Sequence, residues 1–244
     1  MRLTDFKALT FDVYGTLIDW ETGIFEALTP LTSQLANPPT RDQVLEAHAY
    51  NESTTQRQTP GKSYDQILAV VYKRLAEEWG VPAPWEACLT YGRSVNDWPA
   101  FPDSAEALAY LKQHYKLIVL SNVDNASFAH SNDKLGAPFD AAYTAGDIGS
   151  YKPDGRNFDY MIEQLSRLGM AKHEILHTAE SMFHDHAPAN RCGLANCWIY
   201  RRHDKDGFGA TVRPDEMPRY DFLFHSMADL VTAHRAELSG ETTA

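Results

Sequence analysis

Short, mostly apolar runs alternate along this chain with longer stretches of helical periodicity. The apolar runs stand at Ala8–Phe11, Leu117–Leu120, Ala141–Tyr143, Ile175–His177, Cys197–Tyr200 and Phe222–Phe224. Runs of this length, bounded by turn residues, are the pattern of strands covered on both faces in a parallel sheet. A helix is predicted over Ser104–His114, with Asp103 or Ser104 as its N-cap. Another runs from Asn157 to Leu168 and closes on Gly169 in a C-cap position. Strands alternating with helices predict an α/β fold with a doubly wound, Rossmann-like parallel sheet.

Between Trp20 and Asp97 the rhythm changes. No strand pattern appears, and four helices are predicted: Glu21–Gln34, Arg41–Thr54, Tyr64–Trp79 and Trp85–Trp98. Pro38-Pro39, Pro60-Gly61 and Pro82–Pro84 punctuate them. The chain therefore divides into a core of residues 1–19 and 98–244 and an inserted helical cap of residues 20–97. Ser239–Ala244 is small and polar and is expected to fray.

Composition narrows the function classes. With 244 residues, 43% of them hydrophobic, the chain can bury a sizeable core. Lys plus Arg is 22 against 33 Asp plus Glu, a formal charge of −11. That balance argues against nucleic acid and against an anionic membrane surface, both of which need clustered cations. No apolar run approaches the roughly 18 residues that span a bilayer. Three cysteines, Cys88, Cys192 and Cys197, are too few and odd in number for a disulfide framework. A cytoplasmic protein is expected.

The most informative segment is Leu9-Thr-Phe-Asp-Val-Tyr-Gly-Thr-Leu17. It delivers Asp12 to the carboxyl end of a strand, where open α/β sheets bind ligands. Such an aspartate is a candidate nucleophile, and it is equally a residue that caps a turn. Three other strand ends add chemistry: Ser121-Asn122, Lys152-Pro153, and Glu180-Ser-Met-Phe-His-Asp185. A doubly wound sheet gathers all four on one edge.

This order of motifs resembles the haloacid dehalogenase superfamily over nearly the whole chain, the helical insert included. Phosphatases of that superfamily carry Asp-x-Asp in the first motif, whereas here the second position is Tyr14. The segment Phe-Asp-Val-Tyr-Gly-Thr-Leu, with Ser121-Asn122 and Lys152-Pro153, looks like the L-2-haloacid dehalogenase branch. A phosphatase expels an alkoxide and needs a general acid; a halide leaves without a proton.

The resemblance implies Asp12 as nucleophile, forming an ester at C2 of a short 2-haloalkanoic acid that water then hydrolyses to a 2-hydroxy acid. It implies Lys152 and Asp185 as catalytic partners, with Thr16 and Ser121 holding the substrate carboxylate or Asp12. Tyr14, Asn122, Ser181 and His184 are expected at the substrate, and Arg57, or else Arg41, as the halide clamp. The partner is a small anionic carboxylate, the chain is a possible homodimer, and no cofactor is required. The alternatives are a magnesium-dependent phosphatase using Asp12, Glu180 and Asp185, C–N hydrolysis of a small carboxylate by the same ester route, and a non-catalytic binding protein. Met182 and Phe158 depart from the branch, which has polar residues there. Arg201-Arg202 are expected in surface salt bridges. Pro60-Gly-Lys-Ser63 lacks the earlier glycine of a phosphate loop, and His184-Asp-His186 lacks further zinc ligands at a typical spacing.

Overall fold

The computed structural model describes residues 1–240. The expected frayed end lies mostly outside them: Ser239 closes the last helix, and 241–244 are not described. Six strands form one sheet: β1 (Ala8–Phe11), β2 (Lys116–Ser121), β3 (Ala141–Thr144), β4 (Ile175–Ala179), β5 (Ala195–Ile199) and β6 (Phe222–Phe224). All pairings are parallel, in the order β3-β2-β1-β4-β5-β6. The order reverses beside β1, between β2 and β4, which is the ligand crevice of such sheets.

Side chains alternate across the sheet as the pleat requires. Leu9, Phe11, Leu117, Val119 and Leu176 join one apolar layer, while Ala8, Ile118, Leu120 and Ile175 join the other with Phe158, Met161 and Leu165. Both faces are covered, which is why the strands read as apolar runs.

Four helices are inserted between β1 and β2: α1 (Trp20–Thr32), α2 (Arg41–Gln58), α3 (Tyr64–Glu78) and α4 (Trp85–Arg93). After them come α5 (Ser104–Leu111), α6 (Asn125–Lys134), α7 (Ala145–Ile148), α8 (Gly155–Arg167), α9 (Ala187–Cys192) and α10 (Met227–Ser239). Gly169 does stand just past α8, with φ +82°. Most boundaries shift by up to three residues, and two differ by more. The last inserted helix stops at Arg93 and passes into a 3-10 turn over Ser94–Asn96, well short of Trp98. Helix α2 continues to Gln58 rather than ending at Thr54, and within its last turn Thr55 Oγ1 donates to the Asn51 carbonyl at 2.7 Å. That extra turn carries Gln56 to the site.

Candidate active site

Asp12 follows β1 directly, and its backbone N–H still donates to the Thr178 carbonyl of β4 at 3.1 Å. The chain then turns sharply through Gly15, at φ +96°. A Cβ there would meet Trp20 Nε1 at 2.9 Å, so this turn requires glycine. The turn brings Thr16 back, and its hydroxyl donates to Asp12 Oδ2 at 2.7 Å and accepts from the Glu180 N–H at 2.9 Å.

Lys152 is 1% exposed, and its ammonium has three acceptors. They are Asp12 Oδ1 at 2.9 Å, Asp185 Oδ1 at 2.7 Å and the Leu120 carbonyl at 2.9 Å. An ammonium has three N–H donors, so this one is fully committed. The Asn122 side chain clamps the Lys152 backbone, accepting its N–H at 2.6 Å and donating to its carbonyl at 3.0 Å. Asp185 Oδ1 also bonds His177 Nε2 at 3.0 Å, and His177 Nδ1 bonds Thr10 Oγ1 at 2.9 Å. Asp185 Oδ2 is buried with no partner among the described residues.

One cation between two carboxylates cannot hold both equally. Burial raises the pKa of Asp185, but Lys152 and His177 outweigh it and hold Asp185 far below the carboxylate range. Burial raises Asp12 and the charge of Asp185 adds to that, so Asp12 titrates above the usual range despite Lys152 and Thr16. The result is a desolvated, more basic carboxylate, the better nucleophile of the pair.

Asp12, Lys152 and Asp185 face a small cavity of about 30 Å³ together with Tyr14, Asn122, Val123, Ser181 and His184. Its other wall is the insert: Trp20, Glu52, Gln56 and Tyr64. The Tyr14 hydroxyl pairs with Ser131 Oγ at 2.8 Å, and burial raises it well above the usual phenol range, so it stays protonated. Ser181 Oγ accepts from the His184 N–H at 3.0 Å and pairs with Thr211 Oγ1 at 2.8 Å. Burial pushes His184 down to about 4, so it is neutral at pH 7. Burial pushes Glu52 up to about 7.

Three expectations need correction. Ser121 is adjacent in sequence but does not line the cavity; its buried hydroxyl has no partner among the described residues. Arg57 does not reach the site: one position beyond Gln56, it is turned about 100° round α2 and is exposed. Arg41 also lies elsewhere, over the Phe25 ring and bonded to Thr22 Oγ1. Arg202 is buried rather than a surface residue, clamping Glu21 at 2.7 and 2.6 Å and Asp42 at 3.0 Å. Arg201 holds the Thr16 carbonyl at 3.0 Å and so braces the turn after Asp12. Glu52 and Gln56 were not foreseen; a polar i, i+4 pair on a helix reads as a solvated face.

The family model for haloacid dehalogenase-like hydrolases matches residues 6–178, most of the chain. The protein belongs to this family. Several dehalogenase structures have the same fold as this haloacid dehalogenase-like hydrolase. The L-2-haloacid dehalogenase from Xanthobacter autotrophicus is 18% identical, covering 94% of this chain and 98% of that one, with a TM-score of 0.75. A defluorinating L-2-haloacid dehalogenase is 20% identical, covering 97% and 99%, with a TM-score of 0.75. The magnesium-bound Bacillus subtilis protein YfnB is 18% identical, covering 96% and 100%, with a TM-score of 0.71. No curated protein matches the sequence. No helix among the described residues is long and apolar enough to cross a membrane.

Glu180 is the residue of this hydrolase that would suit magnesium. Glu180 lines a second cavity with Met182, Trp198, Tyr200 and Arg202, and is not in the lining of the Asp12 cavity. Burial pushes it up to about 8, helped by Glu21 and Asp12. Among the described residues no three His, Cys, Asp or Glu side chains converge as a metal site requires. Asp12 and Asp185 turn toward Lys152 instead. His186 is committed to Asn196 Oδ1 and the Ala179 carbonyl, so the His184-Asp-His186 run makes no zinc pair.

Proposed function

We propose that this hydrolase displaces a leaving group from C2 of short 2-substituted carboxylic acids, with 2-haloalkanoic acids first among them. One observation carries the reading: a buried carboxylate, held by Lys152 and Thr16, faces a cavity with a phenol at position 14 where a phosphatase has an acid. A phenol that keeps its proton is a poor acid for an alkoxide, whereas a halide needs none.

Asp12 attacks C2 from the side opposite the halogen. The C–O bond forms, the C–halogen bond breaks, and halide leaves with the electron pair. Inversion follows. Water then attacks the carbonyl carbon of the Asp12 ester, oriented by a hydrogen bond to the unpartnered Asp185 Oδ2; one of its protons goes to the departing C2 oxygen and the other is released. The 2-hydroxy acid leaves carrying an Asp12 oxygen. Helices α1–α4, within residues 20–97, act as the cap that keeps bulk water from the ester. A structure of the Xanthobacter dehalogenase with chloropropionic acid covalently bound supports such chemistry on this fold. No step is routed through magnesium, because Glu180 lines a second cavity and not the Asp12 cavity. C–N cleavage by the same ester route is the second reading, favoured by the absence of a cation on the α2 wall.

The test is halide release from each enantiomer of 2-chloropropionate in EDTA, read by ion chromatography. Release that survives EDTA and disappears in Asp12→Asn is expected. Release that requires magnesium, or persists in Asp12→Asn, refutes the reading.

A further inference from the structure

The cavity wall opposite Asp12 is acidic, and halide displacement has no use for an acid. Glu52 and Gln56 stand one turn apart on α2, and Gln56 Nε2 donates to Glu52 Oε1 at 3.1 Å. The space is about that of one water, so an occupant touches both walls at once. Among the described residues Lys152 is the one lysine or arginine in the lining, and its donors are all taken. A halide leaving toward α2 would therefore meet no cation, only the carboxyl of Glu52 and the carboxamide of Gln56.

The groups around Glu52 leave it able to carry a proton at neutral pH. His48, with Nδ1 3.8 Å away on the same helix, is pushed down to about 3 by burial and is uncharged. Tyr64 from α3, Tyr91 from α4 and Tyr151 before Lys152 are phenols that burial keeps protonated. Across the cavity stand Asp12 and Asp185, whose charge is met by Lys152. No cation holds Glu52 ionised.

We propose that Glu52 is a catalytic acid for 2,3-epoxy carboxylates, whose ring oxygen leaves C2 only if it gains a proton. The inference rests on Asp12 as nucleophile. Asp12 forms a C–O bond to C2 as the C2–ring oxygen bond breaks. That electron pair goes to the ring oxygen, which takes the proton from Glu52 and becomes the C3 hydroxyl. Glu52 is left ionised. Water then hydrolyses the Asp12 ester, releasing 2,3-dihydroxypropanoate from oxirane-2-carboxylate, and the proton freed in that step returns to Glu52. Strain in the three-membered ring makes displacement by a carboxylate feasible.

The probe is each enantiomer of oxirane-2-carboxylate, incubated from pH 5 to 9 in water enriched in oxygen-18. Product is quantified by chromatography, the Asp12 peptide is weighed by mass spectrometry, and Asp12→Asn serves as the blank. Ring opening by the wild type is expected, falling above about pH 7 as Glu52 loses its proton, with label entering Asp12. Glu52→Gln is expected to lower the ratio of ring opening to halide release about 100-fold, the usual contribution of a general acid. A wild type that releases halide but leaves the oxirane intact overturns this inference alone. So does a Glu52→Gln protein with an unchanged ratio. A wild type inert to both substrates and unlabelled at Asp12 overturns the nucleophile reading and this one with it.

Discussion

Replacing Lys152 with methionine keeps the length of the side chain and removes the one charge between Asp12 and Asp185. Contacts of 2.9 and 2.7 Å on a single ammonium put the two carboxylate oxygens no more than about 5.6 Å apart. Two negative charges about 5 Å apart repel by about 3 kcal/mol at an effective dielectric constant of about 20. At about 1.4 kcal/mol per tenfold, that lowers the population with both groups ionised about 100-fold. The proposed mechanism needs both ionised: Asp12 to attack and Asp185 to orient the water. The assay is kcat/KM for halide release from pH 5 to 10. Lys152→Met is expected to lose about 100-fold at pH 7, with the acid limb of the profile moved to higher pH. Adding Asp185→Asn removes the repulsion, so the limb returns toward the wild-type position although the ester hydrolyses slowly. A Lys152→Met enzyme within tenfold of wild type at pH 7, its limb unmoved, refutes the shared-cation argument.

Thr16→Val removes the 2.7 Å bond to Asp12 and leaves the Glu180 N–H without its acceptor; a cost of about 1–3 kcal/mol predicts a kcat about 5- to 150-fold lower, read by single-turnover halide release. Glu180 titrates near 8 when folded against an ordinary value of 4.5, so the native state keeps a proton that the unfolded chain has lost between those pH values, and stability falls as pH rises through them. Glu180→Gln has no such loss, and calorimetry is expected to show its Tm advantage growing from pH 5 to pH 8, to about 4 °C or more. Arg57→Ala is expected to change KM less than about twofold, because the side chain is exposed and outside the cavity; a tenfold rise in KM shows that the helix presents Arg57 to the substrate.

Two-sided burial is what made the sheet legible. Every residue of β1 and β4 is buried, so each strand appears as a mostly apolar run, its few polar side chains, such as Thr10 and His177, bonded inside the fold. Asp12, Lys152 and Asp185 were legible for a related reason, since each follows or adjoins a strand end on one edge of the sheet. Roles that depend on side-chain direction were not legible. Ser121 closes β2 beside Asn122, yet only Asn122 reaches the cavity. Arg201 and Arg202 follow β5 like surface cations, but the neighbouring chain folds over them and turns both into clamps, one on the Thr16 carbonyl and one on Glu21.

Helix α2 shows most clearly why the substrate side was hidden. His48, Glu52 and Gln56 recur every four residues, a stripe that on an isolated helix is the water-facing side. In the fold all three are buried. Burying polar groups costs free energy unless they are paired, and both ring nitrogens of His48 have no partner among the described residues. A helix that served only to cover the core would have used apolar residues at those positions, as α3 does with Ile67, Leu68, Val71 and Leu75. The stripe instead ends at the cavity over Asp12. Its chemistry is that of a carboxyl near neutrality beside a carboxamide, with no cation. On the proposed mechanism the motifs at the strand ends set how the bond to C2 is broken, and the polar stripe of α2 sets which leaving group can be released there.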